Sequence, residues 1–194
     1  LLEDFPNVFY RVDVVDEVYR GAVSVSQSYG LGTFEANTVL LGWPNEGERA
    51  TDYLQMLRDL TCLDKTVLVL RYDPERRFGN YRDIHIWWGG FRGNGGMMLL
   101  LGYLLTAHYK WRHAKVHVIT VVEKESRIEE VSTALDLVLQ NARLNAKPRV
   151  LVKGNRSVPE VMREESRQAD LVIVGMNLPE ASNEDESYMT KNKE

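Results

Sequence analysis

The sequence predicts an α/β fold, doubly wound, with a mainly parallel sheet flanked by helices. Two observations point there, and a third bears on how the chain divides. Short β-branched runs alternate with amphipathic stretches almost throughout the chain. The run 38–43 (TVLLGW) is apolar on both faces, as a buried parallel strand would be, and 66–70 (TVLVL) reads the same way. The two halves also echo each other: 37–42 (NTVLLG) and 170–175 (DLVIVG) each run polar residue, four apolar residues, glycine, and each follows a helical stretch. The echo marks a weak internal pseudo-repeat of two subdomains. Its alternative is that buried strands ending in glycine look alike.

The elements follow in order. Residues 8–15 read as a strand, with Val8, Tyr10, Val12 and Val14 on one face. Helical spacing over 16–29 places Val18, Ala22, Val25 and Tyr29 together, and Gly30 and Gly32 stop the helix. After the strand at 38–43, Tyr53, Met56, Leu57 and Leu60 form a helical stripe that leads to the strand at 66–70, and Asp73-Pro74 marks a turn. Residues 84–88 form a strand, and the glycine-rich loop 89–96 opens a strongly apolar helix running to about His113. A strand at 116–122 follows. Ser126 with Glu129 has the spacing of a capping box ahead of Ile128, Val131, Leu135 and Val138. A strand at 149–152, a second box at Ser157 and Glu160, and a last strand at 171–175 complete the pattern. The division expected is a first α/β subdomain over 1–78, incomplete at its start, a second over 79–178, and a polar tail over 179–194 that frays.

Composition narrows the function classes. With 24 Lys and Arg against 28 Asp and Glu in 194 residues, the net charge is −4, which argues against a dedicated binder of nucleic acid or of an anionic membrane. Apolar residues at 44% and charged ones at 27% describe a globular chain long enough for a core of adequate size. A single cysteine, Cys62, excludes an internal disulfide framework or a multi-cysteine zinc site. The longest apolar run, 97–105, is far short of the roughly 20 residues that cross a bilayer. The opening Leu1-Leu2-Glu3-Asp4 reads as an internal stretch of a longer polypeptide.

Parallel sheets bind ligands at the carboxyl ends of their strands, so Gly42 and Gly175 are candidate nucleotide contacts. A strand followed by Val-Gly resembles the universal-stress-protein family, whose ATP-binding members continue with glycines around the phosphates. Here Met176, Asn177 and Leu178 follow Gly175, and Asn45 stands three after Gly42. GxxxxGK[ST] and GxGxxG are both absent, Met98 standing where the latter's third glycine belongs. Glycines leading into a helix expose N–H groups to an anion, making Arg92, Gly95 and Gly96 candidate ligand contacts; close helix packing under a tight turn and a partner or subunit contact are the alternatives. No metal site is expected from His85, His108, His113 and His117: the middle two are five apart, on different helix faces, and no Cys or carboxylate shares a ligand spacing with them. No G-x-S-x-G elbow occurs, and Cys62 has no His or Asn partner in a motif. No catalytic residue is assigned, and no enzyme is expected.

Two longer stretches carry a family resemblance. Residues 26–43 (SQSYGLGTFEANTVLLGW) resemble the QS.GLG...PNTVLLGW segment of the cation-chloride cotransporter family's cytosolic C-terminal domain. Residues 83–88 (DIHIWW) with 95–105 (GGMMLLLGYLL) are similar to its IDVWW...DGGLTLLLPYLL, and 111–120 to the WR...RVF strand that follows. Asn94 stands where the family has Asp, Ala36 and Gly102 replace prolines, and an extra Gly-Phe-Arg-Gly lies near Trp88, which implies a distant, prokaryotic-type member. The resemblance implies a non-catalytic cytosolic regulatory and dimerisation domain with a universal-stress-like α/β fold. Its parent would carry chloride with sodium and/or potassium through membrane helices outside this chain. It implies as partners a second copy and the chain's own transmembrane domain, with no cofactor assigned; adenine nucleotide, which some members bind, lacks its motif here. Trp87, Trp88 and Phe91 are the candidate interface residues, core burial being their alternative. The rival is a free-standing universal-stress-like nucleotide-binding protein.

Overall fold

A computed structural model describes residues 8, 12–31, 34–44, 49–90, 93–179 and 188. Two compact units emerge from its contacts: Leu1–Tyr72 with Leu178–Glu194, and Asp73–Asn177.

The first unit begins with helix α1 (Val18–Ser28), whose Glu17 carboxylate accepts the N–H groups of Tyr19 and Arg20 at 3.1 and 2.8 Å. Strands β1 (Gly30–Leu31) and β2 (Phe34–Glu35) pair antiparallel. Strand β3 (Thr38–Gly42), helix α2 (Ala50–Cys62) and strand β4 (Thr66–Leu70) then make one βαβ unit, the strands parallel from Thr38 opposite Thr66 to Gly42 opposite Leu70. The expected stripe of Tyr53, Met56, Leu57 and Leu60 is buried, with Leu54 beside it.

Two expectations for this unit fail. The described part of the first expected strand, residues 8 and 12–15, has no regular structure: Val12 and Val14 are fully exposed, and Val15 lies against Gly21 of α1. A strand needs a neighbour for its backbone groups, and none pairs there among the described residues. Strand β3, expected to be buried on both faces, is exposed at alternate positions, with Leu40 65% exposed; β4 is its only strand partner among the described residues.

The second unit is a four-stranded, all-parallel sheet in the order β7–β6–β5–β8, from β5 (Asp83–Trp87), β6 (Lys115–Val122), β7 (Ala146–Val152) and β8 (Leu171–Val174). Helices α3 (Gly95–Ala107), α4 (Ile128–Asn141) and α5 (Val158–Glu165) connect them. One face sends Ile84, Ile86, Val116 and Val118 into a core with Met98, Leu99, Leu135 and Leu139. The other places Trp87 and Ile119 under Val161 of α5. Helices therefore cover both faces, as the fold class requires. The chain runs outward from β5 to β7 and returns to the far side of β5, so the order reverses between β5 and β8.

Local chemistry explains the differences from the expected boundaries. Helix α3 ends at Ala107 rather than near His113, because His108 turns extended and residues 109–113 fold back. That turn returns Trp111 to the core, edge-on to Tyr81 at 4.9 Å and Phe78 at 6.1 Å. The Ser157–Glu160 capping box forms and starts α5. The Ser126–Glu129 box does not: a 3-10 turn, Glu125–Arg127, leads into α4, and neither has a side-chain cap.

Candidate functional site

Open α/β sheets hold ligands where the strand order reverses, here outside the carboxyl ends of β5 and β8. Two sequence-selected segments meet there: the glycine-rich loop after Trp88, and Gly175 after β8. Gly90 lies against the start of α3, and Gly90 and Gly93 have φ of 105° and 76°. A side chain at Gly95 would collide with the Gly90 carbonyl oxygen and crowd the Trp88 ring, so Gly95 is buried and structural. Gly96 is exposed, with open space around its Cβ position. The Asn94 amide donates to the Met176 carbonyl at 3.1 Å, and its side chain lies 3.6 Å from the Cβ position of Gly175. Asn94 thus spans the mouth of the crevice.

The remaining selected residues are dispersed. Gly42 ends β3 in the first unit, and its carbonyl accepts the Tyr53 hydroxyl at 2.9 Å; burial, with Tyr19 nearby, pushes that phenol up to about 12. Trp87 is only 7% exposed and belongs to the core under α5, while Trp88 is half-buried on the opposite face. Phe91 and Arg92 lie outside the described residues.

Strand alternation builds a second polar group that the sequence reading did not single out. Asp83, His85 and Trp87 share a face of β5, and pairing sets His117 of β6 beside His85, their rings 5.3 Å apart. Ser166, which caps the end of α5, has its Oγ 2.9 Å from Trp87 Nε1 and 3.0 Å from His85 Nδ1. The indole can only donate, which leaves the serine hydroxyl proton for the imidazole and suits a neutral His85. Arg149 pairs with Glu165 on the same face. Burial holds His85 below the ordinary imidazole range, helped by His117 and Arg149. It does the same to His117, with Arg149, Lys147 and Lys115 adding to the effect and Asp83 opposing it. Serine and histidine stand at the distance of a nucleophile and its base, but both are spent joining α5 to the sheet. Among the described residues, no three His, Cys, Asp or Glu side chains converge as a metal ion would require.

At the opposite end of the sheet, Asp170 accepts the backbone N–H groups of Asn80, Arg82 and Asp83 at 3.0, 2.6 and 3.1 Å. Its burial alone would raise the pKa, but those three donors and Arg76 outweigh it and hold the carboxyl below its usual range. Gly79, at φ 51°, is glycine because any Cβ there would strike Asp170 Oδ1. Period-2 alternation puts Asp83, His85 and Trp87 on one face, but bringing His117 beside His85 takes the β5–β6 register, and the Asp170 cradle has no signature in sequence.

Residues 76–160 match the family model of solute carrier family 12. The matched span runs from before β5 into α5 and includes the Asp83–Trp88 and Gly95–Leu105 stretches. A solved structure described as the cytoplasmic domain of a prokaryotic cation chloride cotransporter is similar in fold, with a TM-score of 0.65 and 19% identity over 91% of this chain. The chain spans 66% of the length of that domain. Both findings support the family resemblance read from the sequence, and the second shows the shared α/β fold.

Proposed function

We propose, on a resemblance to the cation-chloride cotransporter family that both comparisons support, that this chain is the cytosolic regulatory and dimerisation domain of such a transporter. In this reading the parent chain moves chloride with sodium and/or potassium through a transmembrane part that also binds the ions. The domain catalyses nothing: it pairs with a second copy and so holds two transport units together. No helix among the described residues is long and apolar enough to cross a membrane.

The observation that carries the pairing is helix α3. It is apolar around its whole circumference and leaves Leu100, Tyr103 and Leu104 about half exposed at 47–53%. No charged residue occurs from Gly93 to Tyr109, so two copies meeting there bring no like charges together. Sedimentation velocity of the chain across a concentration series tests it. A dimer that Leu100→Glu with Leu104→Glu abolishes, leaving a folded monomer, is expected. A wild-type monomer at every concentration would refute the pairing.

The alternative, a universal-stress-like nucleotide binder, is favoured by one observation, the glycine-rich loop at the β5/β8 switch point. Asn94 lying across that crevice opposes it. Calorimetric titration with Mg-ATP separates the two: magnesium-dependent saturation supports the nucleotide reading, and no heat up to millimolar ATP supports the tethering domain.

A further inference from the structure

The amino ends of β5 and β6 carry a feature that the tethering reading does not use. An open depression there is lined by Arg82, Asp83, His113 and Lys115. The Lys115 N–H donates to the Arg82 carbonyl at 2.7 Å, which fixes the two side chains on neighbouring strand starts. The Asp170 cradle holds the Arg82 backbone from behind.

The lining is rich in donors and poor in acceptors. Arg82 and Lys115 make no side-chain hydrogen bond or ion pair among the described residues. Arg112 Nε donates to His113 Nε2 at 3.1 Å, which leaves the His113 proton on Nδ1 as a further donor. Asp83 is the one carboxylate in the lining, and it stands 3.8 Å from His117 Nε2. The surroundings add charge of the same sign. Residues 108–115 contain Lys110, Arg112 and Lys115 with no acidic residue, and Lys147 is the register partner of His117.

We propose that this depression binds a phosphate group, with the Arg82 guanidinium and Lys115 ammonium meeting its charge and His113 Nδ1–H donating to a third oxygen. A compact dianion suits two free cations and a neutral donor on three adjacent anchor points. A free phosphorylated metabolite and a phosphorylated lipid headgroup offer that same chemistry.

The test uses the 194-residue chain at low ionic strength with two probes, inorganic phosphate and phosphatidylcholine vesicles doped with phosphatidylinositol phosphate. Saturable shifts of the His113 imidazole and Lys115 amide resonances on adding phosphate are expected, weakened tenfold or more by Arg82→Gln with Lys115→Gln. Removing the same charge at the carboxyl ends of the strands, by Lys124→Gln with Lys153→Gln, should leave them unchanged. Binding to doped vesicles that needs Arg82 and Lys115, without a response to free phosphate, assigns the site to a lipid headgroup. A response to free phosphate without vesicle binding assigns it to a soluble ligand. The proposal fails if neither probe binds, if chloride at equal ionic strength gives the same shifts, or if both double variants weaken binding alike. All four substituted side chains are exposed or half-exposed, so the variants should melt with the parent, which circular dichroism checks.

Discussion

Strand β3 of the first unit and strand β5 of the second have exchanged the roles their sequences advertise. Apart from its first residue, β3 (TVLLG) is wholly apolar, yet it is exposed at every second position. Strand β5 (DIHIW) carries an aspartate and a histidine, yet four of its five residues are buried. The difference is in their neighbours. β5 is hydrogen-bonded on both edges and has helices on both faces, whereas β3 has β4 on one edge and α2 beneath the pair. Burial follows the number of neighbours a strand acquires, and a polar side chain enters a central strand when partners such as Ser166 wait for it.

The largest effect should come from cutting into the two strands at matched positions. Ile86→Ala, at a fully buried site, should cost about 3–4 kcal/mol, whereas Leu40→Ala should cost about 0.5 kcal/mol or less. Urea denaturation of both variants checks the contrast; equal losses would break the comparison.

Next is the Asp170 cradle, which ties the start of β5 to β8. Asp170→Ala leaves three backbone donors without their acceptor and should destabilise the second unit by about 2 kcal/mol. Asp170→Asn, which keeps one oxygen, should recover part of that in the same denaturation assay.

A smaller effect is expected from pH. His85 and His117 both bind protons less readily folded than unfolded, so unfolding takes protons up. Stability should therefore be fully present above the ordinary imidazole pKa of 6.5 and decline as pH falls below it. Denaturation midpoints at pH 7.5 and 5.5 measure the decline, and His85→Gln with His117→Gln should flatten it. The first unit described here contains no histidine and should contribute nothing to it.

Smallest of all is Arg49→Ala in the first unit. Arg49 reaches Glu17 at 2.6 Å, but the pair is exposed, and Glu17 is held down to about 2 mainly by the backbone N–H groups of Arg20 and Tyr19. Differential scanning calorimetry should find the melting temperature nearly unchanged, and less changed still in high salt.

Much of this was legible because it is local. The stripe Tyr53, Met56, Leu57 and Leu60, the Ser157–Glu160 cap and the alternation of strands with helices are repeated within a few residues of chain. What escaped depends on pairing between distant segments. The exposure of Leu40 requires knowing which strands flank β3, and the early end of α3 requires the Trp111 pocket made with Phe78 and Tyr81. Of the candidate site, the strand end before Gly175 and the glycine-rich loop that opens a helix can be read locally, but the link from Asn94 to Met176 is a contact across 82 residues. The His85–His117 pair depends on β5–β6 register, which neither strand specifies alone.

The central claim, that this chain is the cytosolic part of a membrane transporter, is tested most directly by fractionating the native organism and blotting with an antibody against the domain. The account predicts a band several times larger than 22.3 kDa, confined to membranes and released only by detergent. A soluble band near 22 kDa would contradict it and make the nucleotide-binding alternative the working description.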